Sequence, residues 1–124
     1  MALLFEEESH AILGACFEVH NQMGAGFLED LYQECLKVEL RSRGCELLSK
    51  PRLKLHYKGI QLEQYYDPDF LCFGKIILEI KAISSLADIH RAHVLNYLKA
   101  AQFRLGLLVN FHSHPKWEFE RIIN

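Results

Sequence analysis

The sequence predicts an α/β fold, because its hydrophobic pattern changes period twice along the chain. Apolar residues repeat at helical spacing over residues 5–22 and 27–43. From residue 52 the pattern alternates with a period of two, which is typical of strands with one exposed face. A third helix ending near residue 101 precedes the apolar run 105–111, which favours a parallel strand covered on both faces. The predicted order is an extra N-terminal helix, then a helix, a three-stranded antiparallel meander, a helix and a parallel strand.

The two N-terminal helices are predicted from their apolar stripes. The first stripe holds Ile12, Ala15, Val19 and Met23, and glycines at residues 24 and 26 end this helix. Glu29 lies at the edge of the second helix's apolar face, so we expect it to border the core. The expected members of that face are Leu28, Leu31, Tyr32, Cys35, Leu36 and Val38.

The strands of the meander are predicted at residues 52–58, at 60–66 with a continuation through 69–73, and at 75–82. Asp67-Pro68 bends the second strand, and Gly74 makes the turn into the third. If the last hairpin is symmetric about Gly74, Asp69 faces Glu79 and Asp67 faces Lys81. Alternation then places Asp69, Glu79 and Lys81 on one face of the hairpin.

Two carboxylates directly across a hairpin repel each other, and one lysine offsets only part of this repulsion. A divalent cation would offset more of it, and hard oxygen ligands suit Mg²⁺ or Mn²⁺. The alternative is a salt-bridge ladder exposed to solvent.

After this hairpin, Ser85 is the expected N-cap of the third helix, with Asp88 in a variant capping box. Alternation around Trp117 and Phe119 suggests a short closing strand.

Length and composition narrow the function classes. The chain has 124 residues, half of them hydrophobic, so we expect one globular domain over 1–124. Its formal net charge of −2 lacks the basic excess of a dedicated non-specific DNA binder. The four cysteines have no CxxC spacing and are expected to be reduced thiols of a cytoplasmic protein. Acidic residues 6–8 disfavour a signal peptide, and no apolar run approaches the roughly 18 residues of a membrane span.

Several motifs together resemble one family. Pro68-Asp69 followed by Glu79-Ile80-Lys81 is similar to the PD-(D/E)XK motif of a large nuclease superfamily. The segment 26–32, which reads GFLEDLY, resembles the signature of the GxxExxY proteins, a branch of that superfamily. The resemblance covers roughly residues 5–122 and includes His90, the segment 96–99 and the segment 106–111. It implies a restriction-endonuclease-like core.

The resemblance also implies roles for individual residues. Asp69, Glu79 and the backbone carbonyl of Ile80 would bind Mg²⁺ or Mn²⁺. Lys81 would position or help deprotonate the attacking water and stabilise charge at the phosphate. Glu29 would act from the helix, directly, through water or on a second metal ion. The implied activity is hydrolysis of phosphodiester bonds in DNA, with RNA as the less favoured substrate.

Other polar residues have competing interpretations. His90, His93 and Tyr97 share one helical face, which could line the substrate cleft, hold zinc or be a plain surface stripe. Relatives often carry glutamine at the position of His93, so this residue departs from the family pattern. Tyr32 could contact substrate or belong to the core with its hydroxyl at the rim. His112 and His114 are interpreted as an accidental pair in a loop.

A basic strand face could follow the phosphate backbone, or it could simply be solvated. Its members are Lys50, Arg52, Lys54 and Lys58, joined if the fold allows by Arg91, Lys99 and Arg104.

The sequence leaves three hypotheses for the function of the chain. The first is an active nuclease. The second is an inactive module of the same fold that binds nucleic acid or a protein, and the third is a structural subunit that self-associates. A homodimer is compatible with each of them.

Overall fold

The computed structural model describes residues 3–112 and 117–124. Its helices and strands, in chain order, are α1 (Glu6–Met23), α2 (Glu29–Ser42), β1 (Leu47–Ser49), β2 (Leu53–Tyr57), β3 (Ile60–Tyr66), β4 (Phe70–Cys72), β5 (Ile76–Lys81), α3 (Asp88–Ala101), β6 (Leu105–Asn110) and β7 (Glu118–Ile123). His114 and the predicted loop at residues 113–115 lie outside the described residues.

The strands form two sheets. The larger sheet has the order β1-β4-β5-β6-β7, and β2 pairs with β3 in a separate hairpin. β5 and β6 are parallel and are connected through α3, whereas the other neighbours are antiparallel. The predicted α/β class is confirmed, but the predicted meander is divided between the two sheets. Pro68 explains the division, since it lacks an N–H group and restricts the backbone of Asp67.

The helices α1 and α2 cover one face of the larger sheet. Their side chains pack with alternate residues of β4 and β5, among them Phe70, Leu78 and Ile80. The predicted stripe of α1 is confirmed, since Ile12, Ala15 and Val19 are buried there. Two residues assigned to the apolar face of α2 are exposed instead, namely Leu28 at 83% and Val38 at 66%. Leu28 precedes the first turn of α2, so it lies outside the helical stripe.

The helix α3 covers the opposite face and packs against β6 and β2. Close packing against β6 depends on Gly106, where a Cβ atom would lie 2.7 Å from Cγ1 of Val94. The prediction that Ser85 caps this helix is wrong. The helix begins at Asp88, and Nδ1 of His90 accepts a hydrogen bond from the N–H of Ala87 at 2.9 Å. The side chain of His90 therefore takes the role of the glutamate at the third position of a capping box, which accepts the N–H of the N-cap residue.

The short strand β1 was not predicted. It has only three residues, of which two are exposed, so its hydrophobic pattern carries little signal. All four cysteines are free thiols, as expected. Within the described part of the chain, no helix has both the length and the apolar character needed to cross a membrane.

Candidate active site

The β4–β5 hairpin has the register that the sequence predicts. Phe70 pairs with Leu78 and Cys72 with Ile76, so the hairpin is symmetric about residue 74. Phe73 and Gly74 both adopt positive φ angles, 55° and 68°, which closes the turn with the twist that hairpins favour. This register places Asp69 and Glu79 next to each other at the open end of the hairpin.

The two acidic residues are tied together through the backbone. The N–H of Asp69 donates to Oε1 of Glu79 at 2.9 Å, and the N–H of Ile80 donates to Oδ2 of Asp69 at 2.8 Å. Each carboxylate therefore accepts an amide from the opposite strand and is held in one orientation. These bonds use one oxygen of each carboxylate, and the second oxygen of each remains available to a further ligand.

Burial makes this acidic pair electrostatically unfavourable when it is ionised. Glu79 is only 7% exposed, and burial followed by the Asp69 charge raises its pKa from 4.5 to about 7. Burial also raises the pKa of Asp69, against the opposing effects of the Ile80 amide, Lys50 and Lys81. A cation between the two carboxylates would compensate for the lost hydration.

Lys81 and Glu29 complete the group of residues that the sequence predicts. Lys81 ends β5 on the same face as Glu79, and its positive charge lowers the pKa of both Glu79 and Asp69. Glu29 opens α2 and is half-buried. Burial and then the charge of Asp69 raise the pKa of Glu29, and Lys81 lowers it. The four side chains thus interact electrostatically within one site.

The backbone of Asp69 is anchored by neighbouring elements. Its carbonyl accepts the N–H of Lys50 at 2.9 Å and, more distantly, Nε2 of Gln33 at 3.5 Å. Lys50 has a φ of 47°, a left-handed conformation that is uncommon for a residue with a side chain. In this conformation the connection from β1 to β2 passes close to Asp69, and the charge of Lys50 lowers the pKa of that residue.

Asn110 fixes the chain just after Lys81. Its side chain is fully buried, accepts the N–H of Ile83 at 3.0 Å and donates to the carbonyl of Ile83 at 2.8 Å. A further donation reaches Oε1 of Glu118 at 3.0 Å. Because Lys81 pairs with Asn110 in the sheet, the hydrogen bonds of Asn110 hold the end of β5 and the first residues of its connection to α3 in place.

Tyr66 is a site residue that the sequence analysis missed. Its ring is buried and stacks on Tyr97, with centroids 4.3 Å apart. Its hydroxyl lies beside Glu79, and burial followed by the Glu79 charge raises the pKa of Tyr66. No described residue forms a hydrogen bond of normal geometry with that hydroxyl. Strict strand alternation would place Tyr66 on the face opposite Asp69, but the bend at Pro68 interrupts the alternation.

The predicted substrate-binding residues of α3 fall into two groups. His93 and Tyr97 lie together, with ring centroids 4.8 Å apart, and both pack near Tyr66. Burial and then the positive charge of Lys81 lower the pKa of His93. His90 uses its ring to cap α3, as described above.

Tyr32 belongs to the core, in agreement with the core alternative. Its side chain is fully buried and stacks on Phe111 at 4.8 Å between centroids. The hydroxyl donates to the carbonyl of Gly24 at 2.5 Å and accepts the N–H of Phe27 at 3.3 Å. These bonds hold the α1–α2 connection, so they leave no surface of Tyr32 for a substrate.

Metal coordination at this site would rely on mixed oxygen ligands. Across residues 3–112 and 117–124, no three His, Cys, Asp or Glu side chains are arranged to hold a metal ion. The zinc interpretation of His90 and His93 therefore lacks a third ligand there. Mg²⁺ differs, since it usually takes one or two carboxylates and completes its shell with water and substrate oxygens. Asp69 and Glu79, with the carbonyl of Ile80, match that requirement.

The fold and the site together define a class of protein. A mixed sheet with a parallel β5–β6 pair, flanked by helices on both faces, is a restriction-endonuclease-like fold. A sequence profile of the PD-(D/E)XK nuclease superfamily matches residues 6–122, and the chain belongs to this superfamily. The narrower assignment to the GxxExxY branch stays a prediction.

A solved structure supports the same fold. The chain is similar to the protein in "Crystal structure of SSO0001", with 19% sequence identity and a TM-score of 0.55. The match covers 77% of this chain and 50% of that protein, so the chain spans about half of its length. At this identity the similarity concerns the fold alone. No curated protein matches the sequence.

Proposed function

We propose that this chain is a Mg²⁺- or Mn²⁺-dependent nuclease that hydrolyses phosphodiester bonds in DNA. The observation that carries the proposal is the interlocked pair of Asp69 and Glu79, with Lys81 on the same face. Membership of the PD-(D/E)XK superfamily supports nuclease chemistry in general. We treat residues 1–124 as one nuclease domain that acts in the cytoplasm.

The site fits a hard divalent cation on three counts. The buried carboxylate of Glu79 and the half-buried carboxylate of Asp69 each keep one oxygen outside the amide bonds. Burial raises the pKa of both groups, so a cation would favour their ionised forms. The buried hydroxyl of Tyr66, which lies beside Glu79, makes no hydrogen bond of ordinary geometry with the described residues, so the site still has a donor to offer.

In this proposal Asp69, Glu79 and the carbonyl of Ile80 hold the metal ion. When bound, such an ion lowers the pKa of water and stabilises negative charge on a phosphoryl oxygen. Lys81 places its amine on the same face and supplies positive charge where the phosphate and the attacking water meet. Glu29 holds a water molecule or a second ion from the start of α2. The amide bonds keep Asp69 and Glu79 aligned before substrate arrives.

We assign the phosphate path to the β2–β3 hairpin. The guanidinium of Arg52 stacks over the ring of Tyr65 at 3.8 Å, and Lys54 and Lys58 are exposed. Arginine on an aromatic ring is suited to contacts with both phosphates and bases. The chain enters this hairpin directly from Lys50, beside the acids. Such a local patch supplies the positive charge that the net charge of −2 lacks.

The remaining basic residues do not extend this path. Arg91 pairs with Glu120 at 2.6 Å and with Asp88 at 3.0 Å. Arg104 lies just before β6, whose first residue pairs with Ile76 at the end of the sheet far from Lys81. Lys99 lies in the last turn of α3, the part of the helix that leads to that same end. His93 and Tyr97 are better placed to contact nucleic acid, since they border Tyr66 and Lys81.

The test is cleavage of single-stranded, duplex and branched DNA, and of RNA, with Mg²⁺, Mn²⁺ or chelator. We expect metal-dependent cleavage that falls at least about 100-fold in Asp69→Asn and in Lys81→Ala, as for other groups that stabilise developing charge. Glu7→Gln, which changes an exposed carboxylate on α1, is the matched control and should retain activity.

The same experiment separates the two main hypotheses. Cleavage of no substrate with either ion would exclude the nuclease. Nucleic-acid binding that is insensitive to metal and to Asp69→Asn would then favour an inactive binding module. If nucleic acid does not bind either, sedimentation of the chain tests whether it self-associates as a structural subunit.

A further inference from the structure

Two fully or nearly buried tyrosines in this protein have opposite environments at their hydroxyl groups. The Tyr32 hydroxyl is bonded to the backbone at Gly24 and Phe27. The Tyr66 side chain is only 5% exposed, and its hydroxyl lies beside Glu79 but makes no hydrogen bond of ordinary geometry with any described residue. A buried hydroxyl without a partner destabilises a fold, and phenylalanine would avoid that penalty. The hydroxyl of Tyr66 therefore needs a reason other than packing.

The surroundings of Tyr66 hold its ring in place and bring its hydroxyl close to Glu79. The ring is fixed by stacking on Tyr97 at 4.3 Å, with 24° between the planes, and by an edge contact with His93. Backbone pairing with Leu53 holds the residue in β3. The ring can thus shift little, and it packs in the same cluster as Ile77, which shares a strand face with Glu79, so the hydroxyl lies beside the Glu79 carboxylate. Oε1 of Glu79 already accepts the N–H of Asp69, so a hydroxyl donor on Oε2 would be a second bond that fixes this carboxylate.

We propose that Tyr66 is a positioning residue: when the divalent cation is bound, its hydroxyl donates a hydrogen bond to the Glu79 carboxylate and holds that carboxylate in the orientation that binds the ion. This inference rests on the proposed function, because it deepens the same metal site. A carboxylate ligand held by one amide can still rotate about its terminal torsion. A second donor on the other oxygen restricts that rotation, and such supporting bonds commonly change metal affinity by roughly 10- to 100-fold.

The experiment compares the wild type with Tyr66→Phe, which retains the stacked ring, and with Tyr32→Phe as the matched control. Binding of Mn²⁺ is measured by calorimetry on the full chain, and melting temperatures are measured with chelator. We expect Tyr66→Phe to bind Mn²⁺ roughly 10-fold more weakly or worse. Its melting temperature without metal should equal or exceed that of the wild type, because the buried hydroxyl that it loses makes no hydrogen bond of ordinary geometry in the metal-free protein.

The control should show the reverse pattern. Tyr32→Phe should melt at a lower temperature, because it loses the bond to the Gly24 carbonyl, and should bind Mn²⁺ within about twofold of the wild type. An independent readout is the ultraviolet difference spectrum of tyrosine. Addition of Mn²⁺ to the wild type should perturb a tyrosine band, and Tyr66→Phe should lack that perturbation.

The outcomes separate this inference from the function on which it rests. Wild-type affinity in Tyr66→Phe would overturn the positioning role and leave the nuclease proposal intact. A lower melting temperature of the metal-free variant, with unchanged affinity, would assign Tyr66 to the fold alone. If the wild type does not bind Mn²⁺ at millimolar concentrations, both proposals fail.

Discussion

Glu79→Gln changes the stability of the metal-free protein in a way that depends on pH. The substitution keeps the side-chain oxygen that accepts the N–H of Asp69, so the hairpin bond at 2.9 Å can persist. It removes the negative charge from a side chain that is only 7% exposed. The comparison therefore isolates the free-energy cost of ionising Glu79 in its buried position.

The expected magnitude follows from the pKa of Glu79, which burial and Asp69 raise from 4.5 to about 7. Because the folded state holds its proton more tightly than the unfolded state, the protonated carboxyl contributes stability that is fully present below pH 4.5. That stability is lost as the pH rises through about 7. The pKa difference corresponds to about 3 kcal/mol of unfolding free energy.

The assay is denaturation by urea with chelator at pH 5 and pH 8. The wild type should lose roughly 2–3 kcal/mol between these pH values through Glu79, whereas Glu79→Gln should lose only the smaller part that comes from Asp69. At pH 8 the variant should be the more stable protein. Glu63→Gln, which changes an exposed carboxylate on β3, should follow the wild type at both pH values.

Addition of Mn²⁺ at pH 8 should reverse the order. The metal stabilises only the protein that binds it, by about 4.1 kcal/mol at a thousandfold excess over the dissociation constant, which exceeds the roughly 3 kcal/mol by which the variant leads at this pH. The wild type should gain this stability and Glu79→Gln should gain little. Parallel pH profiles for the two proteins with chelator would refute the assignment of a buried, electrostatically unfavourable carboxylate to this position.

Two further predictions concern packing and substrate contact. Gly106→Ala should lower the unfolding free energy by about 1–3 kcal/mol, because the new Cβ atom meets the stiff side chain of Val94 at 2.7 Å. Gly14→Ala is its control in a helix and should stabilise by about 0.5–1 kcal/mol, since its contact is the end of a flexible arginine. Calorimetric melting of both variants measures the difference, and equal effects would contradict the proposed close packing. The double variant Arg52→Ala, Lys54→Ala should weaken DNA binding and reduce its salt dependence by about two ions, and an unchanged slope in salt titrations would exclude the hairpin as the phosphate path.

The acidic hairpin could be predicted from sequence because its geometry is local. One glycine sets the turn, and antiparallel pairing then determines which residues face each other. That Asp69 and Glu79 lie close together followed from counting; the hairpin has the predicted register, and the N–H of Asp69 donates to Glu79. Because side chains alternate between the faces of a strand, Lys81 lies on the same face of β5 as Glu79.

The features that could not be predicted from the sequence depend on contacts between segments that are distant along the chain. The bend at Pro68 separates β3 from β4 and moves Tyr66 to the acidic face, which no count along one strand can show. The cap of α3 is a histidine side chain that folds back onto Ala87, an arrangement outside the usual cap pattern. Tyr32 looks the same in sequence whether its hydroxyl meets a substrate or the carbonyl of Gly24.

The β2–β3 hairpin has a consequence for how the domain can diversify. Both of its ends, at Lys50 and Tyr66, are anchored beside the acids, whereas its tip at Lys58-Gly59 is exposed. Lengthening a surface loop adds little closure entropy, so extra residues are tolerated at the tip far better than at the ends. The length over which the hairpin would contact a nucleic acid can therefore change by insertions at its tip, while the spacing of the proposed metal ligands stays constant.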